Sequence, residues 1–227
     1  MTSRLHFEIA ILGACLLEQS AYPQVMDVLK PQNFTQDVNG IDHQKMYAAM
    51  QSLYPNKPIT MLTVAKALPG YSYTIAEYTS LVSRAACIRH DAFILLEMCF
   101  RDQFIQTLRA IGAPHKMIVM CAINELIDEA LDGDIFELVP NAAAYLTNIG
   151  ATAEAETILQ LQSQIDSRID QIKEAAKIET LFSNLEALIP SASSGNKLAM
   201  AKLTELTKQI LVTGSLENNQ LTKLLAI

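Results

Sequence analysis

The residues of this 227-residue chain best suited to chemistry are four histidines and four cysteines, and their spacing argues against most uses. Cys87 and His90 form a C-x-x-H pair, half of a zinc site, but no second pair stands nearby at metal-ligand spacing. Cys15, Cys87, Cys99 and Cys121 lie unclustered within apolar helical patterns, which reads as buried free thiols in a reducing compartment. His6, His43, His90 and His115 are scattered, and no G-x-S-x-G, H-E-x-x-H or paired D-x-D accompanies them. His43 reads as a residue that caps or packs in its helix. A phosphate loop, G-x-x-x-x-G-K-[ST], needs glycines that let backbone N–H groups cradle phosphates and a lysine for the terminal phosphates. The nearest approach is Gly195-Asn196-Lys197. Its lysine is out of place, Pro190 occupies the first glycine position, and no strand pattern precedes it. The expectation is a chain with no catalytic residues, no cofactor and no metal, which hydrolyses no nucleotide.

Leu12-Gly13-Ala14-Cys15 imitates a lipoprotein cleavage box, with Arg4 as its basic start. Glu8 stands where the apolar region should begin, and only Ile9 to Ala14 precede the cysteine. Such a region needs about 7–15 uncharged residues, so a buried helix is expected instead. No segment reaches the ~18 apolar residues of a membrane span, which points to a soluble, cytoplasmic protein with no membrane partner. The formal net charge is −7, with no Lys/Arg run longer than two. Affinity for duplex DNA comes mainly from neutralising phosphates, so nucleic acid is expected only indirectly, through partners.

The elements that carry these residues read as all-α. Leu5, Ile9, Leu12 and Leu16 form one stripe of a first helix, about Leu5 to Leu17, and Ile11, Ala14 and Leu17 make it apolar on further sides. A short helix from Pro23 to Leu29 ends at Pro31. Asp42 caps a helix carrying Met46, Met50 and Leu53 inward, and Thr60 caps one from Met61 to Leu68. Thr74 and Glu77 form a T-x-x-E capping box opening a helix to about Ala86. Then Phe93, Leu96, Phe100, Phe104, Leu108 and Ile111 run at steps of three and four until Gly112-Ala113-Pro114. A second long helix, about His115 to Leu131, ends at Gly133, so the pair reads as a helical hairpin. A short helix is expected from Pro140 to Asn148, a long one from Thr152 to Pro190, one from Lys197 to Val212 and a last one from Leu216. Glu125-Leu126 with Leu131 and Gly133 is weakly echoed by Glu205-Leu206 with Leu211 and Gly214. The expected organisation is a compact multi-helix globule at 1–88, the hairpin at 89–133 and a C-terminal all-helical region at 134–227.

Five segments within the globule carry a family resemblance. Glu8-Ile9-Ala10-Ile11-Leu12-Gly13-Ala14-Cys15-Leu16-Leu17 is similar to the E-x-A-[VI]-L-G-[AS]-x-L-L signature of the N-terminal domain of DnaB-type replicative helicases. Val25 to Phe34 matches V-x-x-x-L-x-P-x-x-F, and His43 to Leu53 matches H-x-x-[IM]-[YF]-x-A-[ML]-x-x-L. Lys57 to Val64 and Glu77-Tyr78-Thr79-Ser80-Leu81 follow in the family's order. The stretch from Phe34 to His43 is about four residues longer than the pattern, and Pro69-Gly70-Tyr71-Ser72-Tyr73 replaces its Gly-Gly turn. The family's ATPase motor has no counterpart here.

The resemblance implies a non-catalytic interaction and oligomerisation module of DNA replication. It would pair with itself as a dimer or a multiple of one, and would bind a replicative helicase or primase. Its hairpin, residues 92 to 131, would serve for pairing, with Phe93, Leu96, Phe100, Phe104 and Leu108 as the candidate interface. The extra helix after the hairpin favours a stand-alone relative over a piece of a helicase. A helical structural or regulatory protein unrelated to replication, reusing the fold, is the alternative.

Overall fold

The computed structural model describes residues 4–36, 41–82, 87–112, 117–194 and 196–212, and these are α-helical with no strand among them. Among the described residues ten α-helices follow in order: α1 (Arg4–Leu17), α2 (Ala21–Val25), α3 (His43–Leu53), α4 (Met61–Ala67), α5 (Ser72–Leu81), α6 (Ile88–Gly112), α7 (Met117–Asp132), α8 (Ile135–Asn148), α9 (Thr152–Ser193) and α10 (Lys197–Val212). A 3-10 turn, Pro31–Asn33, lies between α2 and α3. The chain divides into two compact units, residues 1–168 and 169–227.

In the first unit α1 is the central helix. Ile11, Leu12 and Cys15 are sealed from solvent, and α1 packs against both α5 and α6. Gly13 sets the α1–α5 spacing. A Cβ there would lie 2.5 Å from the Tyr78 carbonyl oxygen and 2.7 Å from a Val82 methyl. Gly13→Ala is therefore expected to push the two helices apart at a cost of about 1–3 kcal/mol, measurable as a lower urea midpoint. An unchanged midpoint would contradict this packing.

The caps explain the starts of α3 and α4. The Asp42 carboxylate accepts from the Lys45 N–H at 2.8 Å. The Thr60 hydroxyl accepts from the Thr63 N–H at 3.2 Å, while the Thr63 hydroxyl accepts from the Thr60 N–H at 2.9 Å.

Several expectations need correction. The helix expected at 74–86 begins at Ser72, and Thr74 is buried inside its first turn rather than capping it. Gly70, at φ +99°, makes the preceding turn, so the start is set by backbone geometry. That helix ends at Leu81, and residues 83–86 lie outside the described residues. The helix expected from Pro23 to Leu29 is shorter, Ala21–Val25. The helix expected from Pro140 starts at Ile135, because Asp134 accepts from the Phe136 N–H at 2.9 Å and Pro140 is tolerated inside. The long helix passes Pro190 and ends at Ser193. Cys15 is buried, but Cys87 and Cys121 are exposed and Cys99 is half-buried, so the thiols do not share one environment. The break at Gly112-Ala113-Pro114 and the helix from Leu216 fall partly or wholly outside the described residues.

Within the first unit α6 packs on α1, α2, α7 and α8. The start of α9 lies along the same unit. Gln103 of α6 bonds Gln164 at 3.4 Å, and Arg168 donates to the carbonyls of Asp27 and Val28 at 3.0 Å each. Ile158, Leu161 and Ile165 are buried on that helix. The second unit has its own small core: Ile178, Phe182 and Leu185 from α9 with Ile210 from α10, flanked by Leu181, Ile189, Leu203 and Leu206.

Candidate interaction site

Three ionisable or polar residues from separate helices meet inside the first unit. Glu8 of α1 and His43 of α3 are both fully buried. The Glu8 carboxylate lies 2.7 Å from His43 Nδ1, and His43 Nε2 lies 2.5 Å from the Tyr78 hydroxyl on α5. Thr35 donates to Glu8 through its backbone N–H at 3.1 Å and through its hydroxyl at 2.7 Å. Arg4 donates to Glu8 at 2.9 Å and to the Asn33 carbonyl at 2.9 Å, and it pairs with Asp102 of α6. One carboxylate thus ties together α1, α3, the segment between them and, through Arg4, α6.

A carboxylate–imidazole–phenol chain invites a catalytic reading, but its environment opposes one. Burial would raise the Glu8 pKa. The hydrogen bonds from His43, Thr35 and Arg4 outweigh it and hold the carboxyl below its ordinary value, so it stays charged. The Tyr78 phenol is pushed up to about 12 by burial, with Glu77 and Glu8 adding to it, so it is a poor nucleophile. All three side chains are sealed or nearly so. The cluster joins helices, and no group of three metal-ligating side chains occurs among the described residues.

The candidate interface residues lie along α6. Leu96, Phe100, Phe104 and Leu108 are buried within the chain, Phe104 and Leu108 completely, and Phe93 is 42% exposed. Phe100 meets Phe136 of α8 edge-on, with centroids 6.3 Å apart. The stripe therefore has one surface member, Phe93, over whose ring the Arg89 guanidinium sits at 5.7 Å. Nearby, a groove of about 450 Å³ is lined by Phe7, Ile94, Met98 and Leu131 together with the Arg4–Asp102 and Arg101–Glu97 ion pairs. Arg101 also donates to the carbonyls of Leu131 at 2.8 Å and Gly133 at 3.0 Å, which closes the C-terminus of α7.

Glu8, His43 and Tyr78 each lie in one of the five segments that carry the family resemblance. Comparison with known proteins finds the same family over the globule. Residues 1–86 match the DnaB-like helicase N terminal domain. Two curated relatives, each a Replicative DNA helicase DnaB, are similar to the chain. The protein from Rhodothermus marinus is 27% identical over 143 residues, covering 59% of this chain and 14% of that protein. The one from Leifsonia xyli subsp. xyli (strain CTCB07) is 26% identical over 221 residues, covering 90% of this chain and 44% of that protein. The chain thus spans less than half the length of these relatives. Among solved structures, the N-terminal domain of DnaB helicase from Mycobacterium tuberculosis aligns with 63% of this chain and 96% of that chain, at 24% identity and a TM-score of 0.42.

The cluster around Glu8 was not found from the sequence. Its signal was present, since Glu8 interrupts the apolar stripe between Leu5 and Ile9, where a charge has to find buried partners.

Proposed function

We propose that this chain is a non-catalytic interaction and self-association module of DNA replication, acting in the cytoplasm as a DnaB-like N-terminal domain. The match of residues 1–86 to that domain carries the reading. The sealed Glu8–His43–Tyr78 cluster supports it, because the buried carboxylate, imidazole and phenol of the globule are spent on joining helices. The proposed working parts are the globule at 1–88, the hairpin at 89–133 and the helical region at 134–227. The globule would receive a replicative helicase or primase, and nucleic acid would be reached only through them. The hairpin would pair with a second copy through the Phe93 edge, with Leu96, Phe100, Phe104 and Leu108 as the packed base beneath it.

Sedimentation velocity at micromolar concentration tests the pairing. The expected species has twice the 25.0 kDa of the chain, with an interface on the order of 800 Å² per partner. A single 25.0 kDa species would mean that the start of α9, bonded to α6 and to the turn after α2, has taken the partner's place.

A further inference from the structure

Charge is unevenly spread along this chain. Residues 117–167 hold nine of the 24 Asp and Glu and none of the 17 Lys and Arg, so the remainder is slightly cationic. Part of the excess is gathered on one helix face. Glu125, Asp128, Glu129 and Asp132 follow at i, i+3, i+4 and i+7 along α7, and all four are exposed. Met120 and Leu131, 46% and 51% exposed, flank this stripe beyond Asp128, and Leu131 also borders the groove lined by Phe7, Ile94 and Met98. Ala122, Ile123, Leu126 and Ala130 are buried, which fixes the helix's orientation. Glu125 accepts from the Tyr145 hydroxyl at 3.2 Å. Asp128, Glu129 and Asp132 have no ion-pair partner among the described residues.

We propose that this face of α7 docks a cationic amphipathic helix of a partner protein, with apolar residues seated on Met120 and Leu131 and Lys or Arg over the four carboxylates. Charge complementarity selects that occupant. A second copy is disfavoured, because a two-fold interface presents the same patch from both sides and would set carboxylate against carboxylate. Nucleic acid and anionic lipid are repelled by the same charges. The proposal rests on the reading of the chain as an interaction module and adds the chemistry of one partner.

The test is a titration of a labelled Lys/Leu helical peptide of roughly 18 residues, five turns, with the full chain, followed by fluorescence anisotropy at several salt concentrations. Binding that weakens with salt is expected. The variant Glu125→Gln/Asp128→Asn/Glu129→Gln/Asp132→Asn, checked for native helicity, should bind on the order of tenfold more weakly. Met120→Ala/Leu131→Ala should weaken binding at every salt concentration. Neutralising Glu174 and Glu179 on α9 should change nothing. Equal affinity of wild type and the α7 variant, or no binding at low salt, would overturn the proposal. So would an α7 variant that dimerises more tightly than wild type, since the face would then belong to a second copy. Sedimentation of the same samples reads self-association separately, so failure here is distinct from failure of the module reading.

Discussion

Replacing Glu8 by alanine is expected to destabilise the first unit by about 3–5 kcal/mol, a large part of the ~5–15 kcal/mol that holds a domain together. The carboxylate is the acceptor for Thr35 and Arg4 and the partner of His43 Nδ1. Its removal leaves Nδ1 of the buried His43 imidazole and the two half-buried donors of Thr35 without their acceptor, while His43 Nε2 keeps the Tyr78 hydroxyl, and much of the desolvation cost of those groups appears. Asp102→Asn supplies the contrast. Asp102 is half exposed and pairs with the same Arg4, so its loss should cost less than about 1 kcal/mol. The sign of the pH dependence follows from the lowered pKa of Glu8. The stability Glu8 contributes is complete above the ordinary glutamate pKa and is lost as pH falls through the lower folded value. Urea midpoints measured from neutral pH into the acid range should therefore fall in wild type and flatten in Glu8→Gln. A Glu8→Ala midpoint close to wild type would contradict the cluster's role in joining the helices.

The second large effect separates the two ends of the α6 stripe. Phe104 is fully buried, so Phe104→Ala should cost about 3–5 kcal/mol through lost burial and a residual cavity. Phe93 is 42% exposed, so Phe93→Ala should change unfolding by no more than about 0.5 kcal/mol and instead weaken self-association. Denaturant unfolding and sedimentation on the same two variants check this. Similar unfolding losses for both, with sedimentation unchanged, would remove Phe93 from the proposed pairing edge.

Much of the helical order was legible because local signals coincided with the real boundaries. Asp42 and Thr60 mark α3 and α4 by side-chain caps that short-range chemistry specifies. Lys197–Val212 follows Asn196, whose side chain accepts from the Leu198 and Ala199 N–H groups at 3.0 and 3.3 Å. The failures came where tertiary packing overrode a local signal. Thr74 belongs to a T-x-x-E pattern yet is drawn into the core, so α5 starts earlier without a side-chain cap. Pro140 and Pro190 look like boundaries but sit inside helices. Cys87 lies just ahead of α6 and Cys121 on an outward side of α7, and an apolar composition does not tell which positions face out. The Glu8–His43–Tyr78 cluster was hidden for a different reason. Its members are 35 residues apart at each step, and no periodicity within one helix predicts which partners three helices will bring together. The α6 stripe was readable as apolar. Which of its residues the chain itself covers depends on how α1, α7 and α8 pack around it, which the periodicity of α6 alone does not specify.

The most direct measurement is sedimentation velocity of the fluorescently labelled chain mixed with the replicative helicase, and separately with the primase, of the same cell. The interaction-module account predicts that the label shifts to the faster-sedimenting boundary of at least one of them, without added nucleotide. A label that sediments at its own rate in both mixtures, at concentrations well above micromolar, would contradict it.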